Sequence, residues 1–262
     1  MTNNIDSLIL GLPLKQQDSS LLAQEIMIRA QAIDPFQFGS TLATLESAIK
    51  TAAFLHRTAT RSVRGNMPRT HYIEHPLRNA VRLLRYGVDE PHIIIAAVLH
   101  DTLEDCATEI TYTLFGLPDT GDYSEEGLRR FASLYLTSNF GYAASSVVRA
   151  VSNPIYARGL SKADKRVLYA EHVEKVIDVP DVFLVKFADF VDNAVGLHHN
   201  AQPGNEGMVE HLAAKYLPLV DIFQAAFSDK VKYLVSEAGA QEIQDHLDSG
   251  RESLTRLSKK AA

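Results

Sequence analysis

Residues 91–106 read PHIIIAAVLHDTLEDC, and the reading of this stretch decides the architecture of the chain. From Ile93 to Leu99 every residue is apolar, so a helix here has no polar face and belongs at the centre of a helical core. Asp89, Glu90 and Pro91 suit its N-terminus, because acidic side chains meet the positive end of the helix dipole and proline fits the first turn. His100, Asp101, Glu104 and Asp105 follow at i, i+1, i+4 and i+5. On a continuous helix this spacing sets His100 above Glu104 and Asp101 above Asp105, gathering four ionisable groups along one edge. Three carboxylates placed so repel one another and lose hydration unless a cation joins them. A divalent metal resolves the conflict, since imidazole plus carboxylate is a usual ligand set for Mn, Fe, Zn or Ni ions. For the His-Asp dipeptide alone, a helix end turned to water is an equally good account.

The flanks are helical too. Ser40 to Arg57 (STLATLESAIKTAAFLHR) places Leu42, Leu45, Ile49, Ala52, Ala53 and His56 at spacings of three and four, with Ser40 or Thr41 as N-cap. Residues 59–72, ATRSVRGNMPRTHY, break that pattern at Gly65, Asn66 and Pro68 and form a loop. Arg57, Arg61, Arg64 and Arg69 make it the densest basic patch in the first half of the chain. His75-Pro76 opens another helix, which Gly87 closes. After a break over Thr111–Tyr123, helical patterns run at Ser124–Leu136, Tyr142–Val151, Ser161–Ile177 and Val179–His198. Past a linker, Met208 to Leu257 reads as two or three helices. With no strand series and no composition shift, the expectation is an all-α chain of one domain over 1–262. Its core spans about 40–220, with a C-terminal helical extension over about 208–262.

Two distant elements join the acidic edge. Asp189 lies in VKFADFVDN, a nearly apolar helix, with Asp192 and Asn193 three and four residues on. An aspartate there with no nearby cation is hard to explain as plain core; the other account is an aspartate exposed at the helix edge. His56 ends the apolar face of its own helix; alone it reads as a satisfied core histidine, and only the other two elements make it a ligand candidate.

Composition narrows the function classes. The 262 residues are 46% hydrophobic and 22% charged, ample for a globular core. A net charge of −6 offers no global basic field for a nucleic acid, so an anionic substrate needs a local basic cluster or a metal. The single cysteine, Cys106, fits a reducing cytoplasm. The start does not read as a signal peptide, and no apolar run approaches the ~20 residues of a membrane span. The neighbours of Cys106 are acidic, which disfavours its thiolate and argues against a nucleophilic role.

Four ordered blocks carry a resemblance: FLHRTATR, HYIEHPLRNAVRLL, AAVLHDTLED with Thr108 close behind, and FLVKFADFVDN, followed by YLPL at Tyr216–Leu219. Over roughly Ser47–Val220 the chain resembles the HD-domain hydrolases of guanosine tetraphosphate and pentaphosphate, the hydrolase half of the RelA/SpoT homologues and the small alarmone hydrolases. The resemblance implies an HD-domain helical bundle with additional N- and C-terminal helices. It implies that His56, His100, Asp101 and Asp189 hold one metal, manganese, and that Glu104 and Asp105 position and activate the attacking water. Arg61, Arg64, Tyr72, Lys186 and Asn193 become substrate contacts, and His75 a structural residue of the His-Pro step. The implied activity is a cytoplasmic guanosine-3′,5′-bis(diphosphate) 3′-pyrophosphohydrolase of the stringent response. Its substrate is a small nucleotide, with no membrane or nucleic acid partner and with a homo-oligomer left open.

This sequence departs from the family in its recognition parts. The loop is longer, with His71 where the family has proline, and Asn193 is followed by Ala-Val-Gly in place of an arginine-containing run. The stretch Thr111–Leu136 is an insertion. Two alternatives therefore stand beside the first reading: another HD nucleotide phosphohydrolase (a 5′-nucleotidase or a deoxynucleotide triphosphohydrolase), and a catalytically idle nucleotide-binding module.

Overall fold

The computed structural model describes residues 4–37, 39–61, 70–197 and 204–258. Among these residues the regular structure is helical, apart from one isolated antiparallel bridge between Thr60 and His71. The N-terminal third holds α1 (Asn4–Leu10), α2 (Ser19–Gln31), α3 (Asp34–Gln37) and α4 (Ser40–Leu55). The centre holds α5 (Glu74–Arg85), α6 (Pro91–Leu99), α7 (Thr102–Asp105) and α8 (Ala107–Glu109), the last running into a wide π turn at Ile110–Leu114. Next come α9 (Glu125–Val151), α10 (Lys162–Val176) and α11 (Pro180–Phe190), with a second π turn at Val191–Val195. Last are α12 (Glu206–Ala226), α13 (Asp229–Lys232) and α14 (Glu237–Ser258).

As its sequence requires, α6 is the hub: Ile93 to Leu99 are all buried, and α4, α5, α9 and α11 pack around it. Each large side chain so buried contributes about 1.5–3 kcal/mol of transfer free energy. One hydrophobic cluster runs from Leu22 to Leu257, with α12 on α14 and α14 against the second π turn. No helix among the described residues is long and apolar enough to cross a membrane.

Local chemistry sets the ends. Asp18 caps α2 by accepting from the amides of Ser20 and Leu21, and Ser161 and Asp164 form a capping box on α10. The expected Ser40 or Thr41 cap of α4 is absent. Gly39 holds that position instead, with a positive φ of 44° that suits glycine and no side chain to offer a cap. α9 joins the two expected helices across a non-helical backbone at Gly141.

The largest departure lies in the deciding stretch. The sequence predicts one helix through His100 and Asp101, whereas the helix stops at Leu99 and restarts at Thr102. Two side chains take carbonyls that the next helical turn needs: His100 Nδ1 binds the Ala97 carbonyl at 2.8 Å, and Thr102 Oγ1 donates to the Leu99 carbonyl at 2.6 Å. The pair therefore sits at the corner between α6 and α7.

Candidate metal centre

At that corner His100 meets His75 of α5 and Asp189 of α11, and one ligand atom from each of the three lies within 4.8 Å of the others. His75 Nε2 is 3.1 Å from Asp189 Oδ1, and His100 Nε2 is 3.8 Å from the same oxygen. Asp101 closes the group, its Oδ2 lying 3.0 Å from His100 Nε2 and 3.6 Å from His75 Nε2. The His100 Nε2 atom is buried and, despite that proximity, has no aligned hydrogen bond. Its Nδ1 carries the hydrogen, since the Ala97 carbonyl only accepts, so Nε2 presents a lone pair to the carboxylates when the ring is neutral. Two imidazole nitrogens and two carboxylates with one orphaned buried atom fit a divalent cation.

The charges agree with that fit. Burial disfavours the charged His100 ring, but Asp101 and Asp189 outweigh it and push the imidazole up to about 9. Asp101 and Asp189 lose hydration yet are held below the ordinary carboxylate range by His100 and His75 respectively.

Around the cluster the second π turn sets a buried carboxylate, Asp192. Its Oδ2 lies 2.8 Å from His75 Nδ1, Arg78 binds it through Nε and Nη2, and Lys15 lies at 3.0 Å. These cations and His75 overcome burial and hold Asp192 well below its ordinary value. Nothing in the N-terminal sequence marked Lys15 as a neighbour of the site.

Glu104 and Asp105 stand on the open side. Glu104 accepts at both oxygens from Asn153, from the backbone amide and from Nδ2, each at 2.8 Å. Asp105 is exposed along one edge, yet desolvation on the other and the nearby Asp101 and Glu104 charges push it up to about 6. Tyr72 donates its hydroxyl to Asp101 Oδ2 at 2.7 Å.

The remaining sequence-derived residues fall as follows. His56 stands outside the clustered ligand atoms: its ring packs on Tyr72 at 4.8 Å and its Nδ1 is 3.9 Å from Cys106 Sγ. Burial pushes it down to about 4, and its Nε2 has no hydrogen-bond partner. Burial likewise pushes the Cys106 thiol up to about 12. Lys186 is buried and donates to the Val151 carbonyl at the end of α9. Arg61 binds Asp192 at 2.6 Å and also Asn193, whose Nδ2 donates to Asp189 at 2.6 Å. Arg64 lies outside the described residues. His75, read from sequence as structural, is the residue the reading missed. A signal was present: His75, Arg78, Asn79 and Arg82 form a polar stripe at helical spacing, and all four are buried.

Beyond Asn153 opens a cavity of about 200 Å³ lined by Lys162, Lys165 and Arg166 of α10 and His211 and Lys215 of α12. Lys215 Nζ sits 4.3 Å over the Tyr169 ring, and burial lowers its pKa while Asp189, Glu104 and Asp101 act to raise it. The basic cavity and the acidic cluster therefore share a border.

No family model matches the chain. Over 152 residues, 56% of its length, it is 30% identical to the guanosine-3′,5′-bis(diphosphate) 3′-pyrophosphohydrolase of Aquifex aeolicus (strain VF5). The matched part is 18% of that relative, so the chain corresponds to a small portion of the longer protein. At that level the chain is similar to a hydrolase and holds a buried His/Asp group able to take a divalent metal.

Proposed function

We propose that the chain is a cytoplasmic metal-dependent phosphohydrolase of the HD type, a single domain. Its substrate is a nucleotide with phosphates at two positions, guanosine 3′,5′-bis(diphosphate), cut at the 3′ position. The observation that carries this reading is Asn153, which clamps Glu104 on one side and lines the basic cavity on the other. A ligand reaching from the acidic cluster into that cavity needs two separated anionic groups.

His75, His100, Asp101 and Asp189 are the proposed ligands, with His75 in the place the sequence assigned to His56. A bound divalent ion, manganese in this reading, supplies Lewis acidity that lowers the pKa of water and draws charge from phosphoryl oxygen. Glu104 keeps a second lone pair on each oxygen with which to orient the water. Asp105, open to solvent and pushed up to about 6, accepts the water proton near neutral pH. As the new oxygen–phosphorus bond forms, the bond to the ribose 3′ oxygen breaks; that oxygen takes up the proton and pyrophosphate leaves. The lysines of the cavity hold the far phosphates by charge-assisted contacts. Arg61, Arg64 and Asn193 remain the proposed contacts to the nucleoside side. We assign Lys186 to holding the end of α9, through its bond to Val151.

The test is pyrophosphate release from guanosine 3′,5′-bis(diphosphate) with Mn2+, and its loss on adding EDTA. Asp101→Ala should lose essentially all turnover. Lys215→Ala should raise KM about tenfold or more, the worth of one charged contact. Turnover restricted to nucleoside mono- or triphosphates would move the assignment to another HD nucleotide phosphohydrolase, the reading that Ala194 and Val195 after Asn193 favour.

A further inference from the structure

Each imidazole of the cluster has its Nδ1 held from outside, but by different groups. His100 uses the Ala97 carbonyl three residues back on its own helix. His75 uses Asp192, which lies 117 residues away in the second π turn. Asp189 and Asp192, only three residues apart, therefore address the same ring from opposite edges: Asp189 at Nε2, 3.1 Å, and Asp192 at Nδ1, 2.8 Å. The wide turn that begins at Val191 lets two aspartates so close in sequence straddle one ring.

Asp192 is held from several sides. Its side chain has no solvent exposure, and Arg78 grips it with Nε and Nη2 at 2.9 and 3.1 Å. Arg61 reaches the same oxygen as His75, at 2.6 Å, and Lys15 the other. An anionic acceptor at Nδ1 keeps the hydrogen there and leaves the Nε2 lone pair directed at Asp189 and Asp101. A carboxylate behind the ring is the arrangement that metal-binding histidines use.

We propose that Asp192 is a positioning residue of the metal centre: through Nδ1 it fixes the tautomer and angle of His75, so that Nε2 serves a divalent cation. This rests on the metal reading above and assigns a function to a residue that touches neither metal nor substrate.

The experiment measures Mn2+ binding without nucleotide, by electron paramagnetic resonance of the free ion, in wild-type protein and Asp192→Asn. The variant should keep the helical circular dichroism and bind Mn2+ about 10- to 100-fold more weakly. In parallel, Cd2+-loaded wild-type protein is examined by long-range proton–nitrogen NMR, which needs no variant. His75 should carry its hydrogen on Nδ1 and show cadmium coupling at Nε2. A folded Asp192→Asn with wild-type Mn2+ affinity overturns the proposal, as does a hydrogen on Nε2 of His75 in the loaded protein. If the variant does not fold, the NMR result alone decides. Wild-type protein that takes up no Mn2+ overturns the metal reading and this inference together. Mn2+ uptake without phosphohydrolase activity overturns only the choice of reaction.

Discussion

The Glu25 and Asp192 side chains are both fully shielded from solvent, and arginines of α5 hold both. Glu25 of α2 accepts from Arg85 at 2.9 and 2.8 Å, from Arg29 at 2.7 Å and from Gln17 at 2.6 Å. Asp192 accepts from Arg78, about two turns before Arg85 on α5, from Arg61 in the segment after α4, and from the His75 ring. The first network contains only groups whose charge and geometry end with the network. The second contains an imidazole with a second nitrogen facing elsewhere. A buried ion pair tells nothing of function by itself; what matters is whether one partner has an unused atom pointing into a site. Glu25 fastens α2 to α5, and Asp192 hands its order on to His75.

The largest effect that separates the two is expected at Glu25. Glu25→Ala leaves the partly buried Arg85 and Arg29 without their counter-charge and should cost about 2–3 kcal/mol in urea unfolding. Mn2+ affinity of the folded fraction should stay at the wild-type level; a parallel loss would erase the distinction drawn between the networks. A smaller effect follows from pH. Burial opposes ionisation of Glu25, but Arg85, Gln17 and Arg29 hold its pKa below the ordinary value. Its contribution is complete above the ordinary carboxylate range and disappears as pH falls through the lowered pKa. The stability gap between wild type and Glu25→Gln should therefore be full at pH 7 and shrink on acidification, read from unfolding midpoints. A gap that is constant with pH would show that the carboxylate charge is not the stabilising feature. The smallest effect is expected at His56. His56→Phe removes a buried nitrogen that has no partner, so stability should change by no more than about 1 kcal/mol. Mn2+ binding should be unaltered, and a loss of the size seen on removing a ligand would return His56 to the metal.

Much of the scaffold was legible. The apolar run at Ile93–Leu99 predicts the central helix, the helical spacings predict its neighbours, and Gly87 closes α5 with a φ of 85°. His100, Asp101 and Asp189 stood out because charge on an apolar helix needs a reason. The corner at His100 did not, since it depends on side chains capturing the Ala97 and Leu99 carbonyls, which no periodicity records. His75 escaped for a different reason. Its partners Asp189 and Asp192 are more than a hundred residues away, and the His-Pro step offers a complete local explanation. The basic cavity escaped likewise: Lys162, Lys165 and Arg166 look like a solvated helix face until Lys215 arrives from α12.

The close contact of α14 with the core reaches the same ring by another route. A Cβ on Gly239 would lie 2.0 Å from the Tyr86 carbonyl oxygen, and Gly250 faces Val195 and Phe190 beside the second π turn. The C-terminal helix is thus seated on both ends of the frame that holds His75: the end of α5 and the turn bearing Asp192. The consequence is one of entropy. A ring held at Nδ1, on a frame clamped from behind, gives up rotational freedom during folding. An arriving ion meets ligands already at rest, and little ordering remains to oppose its binding.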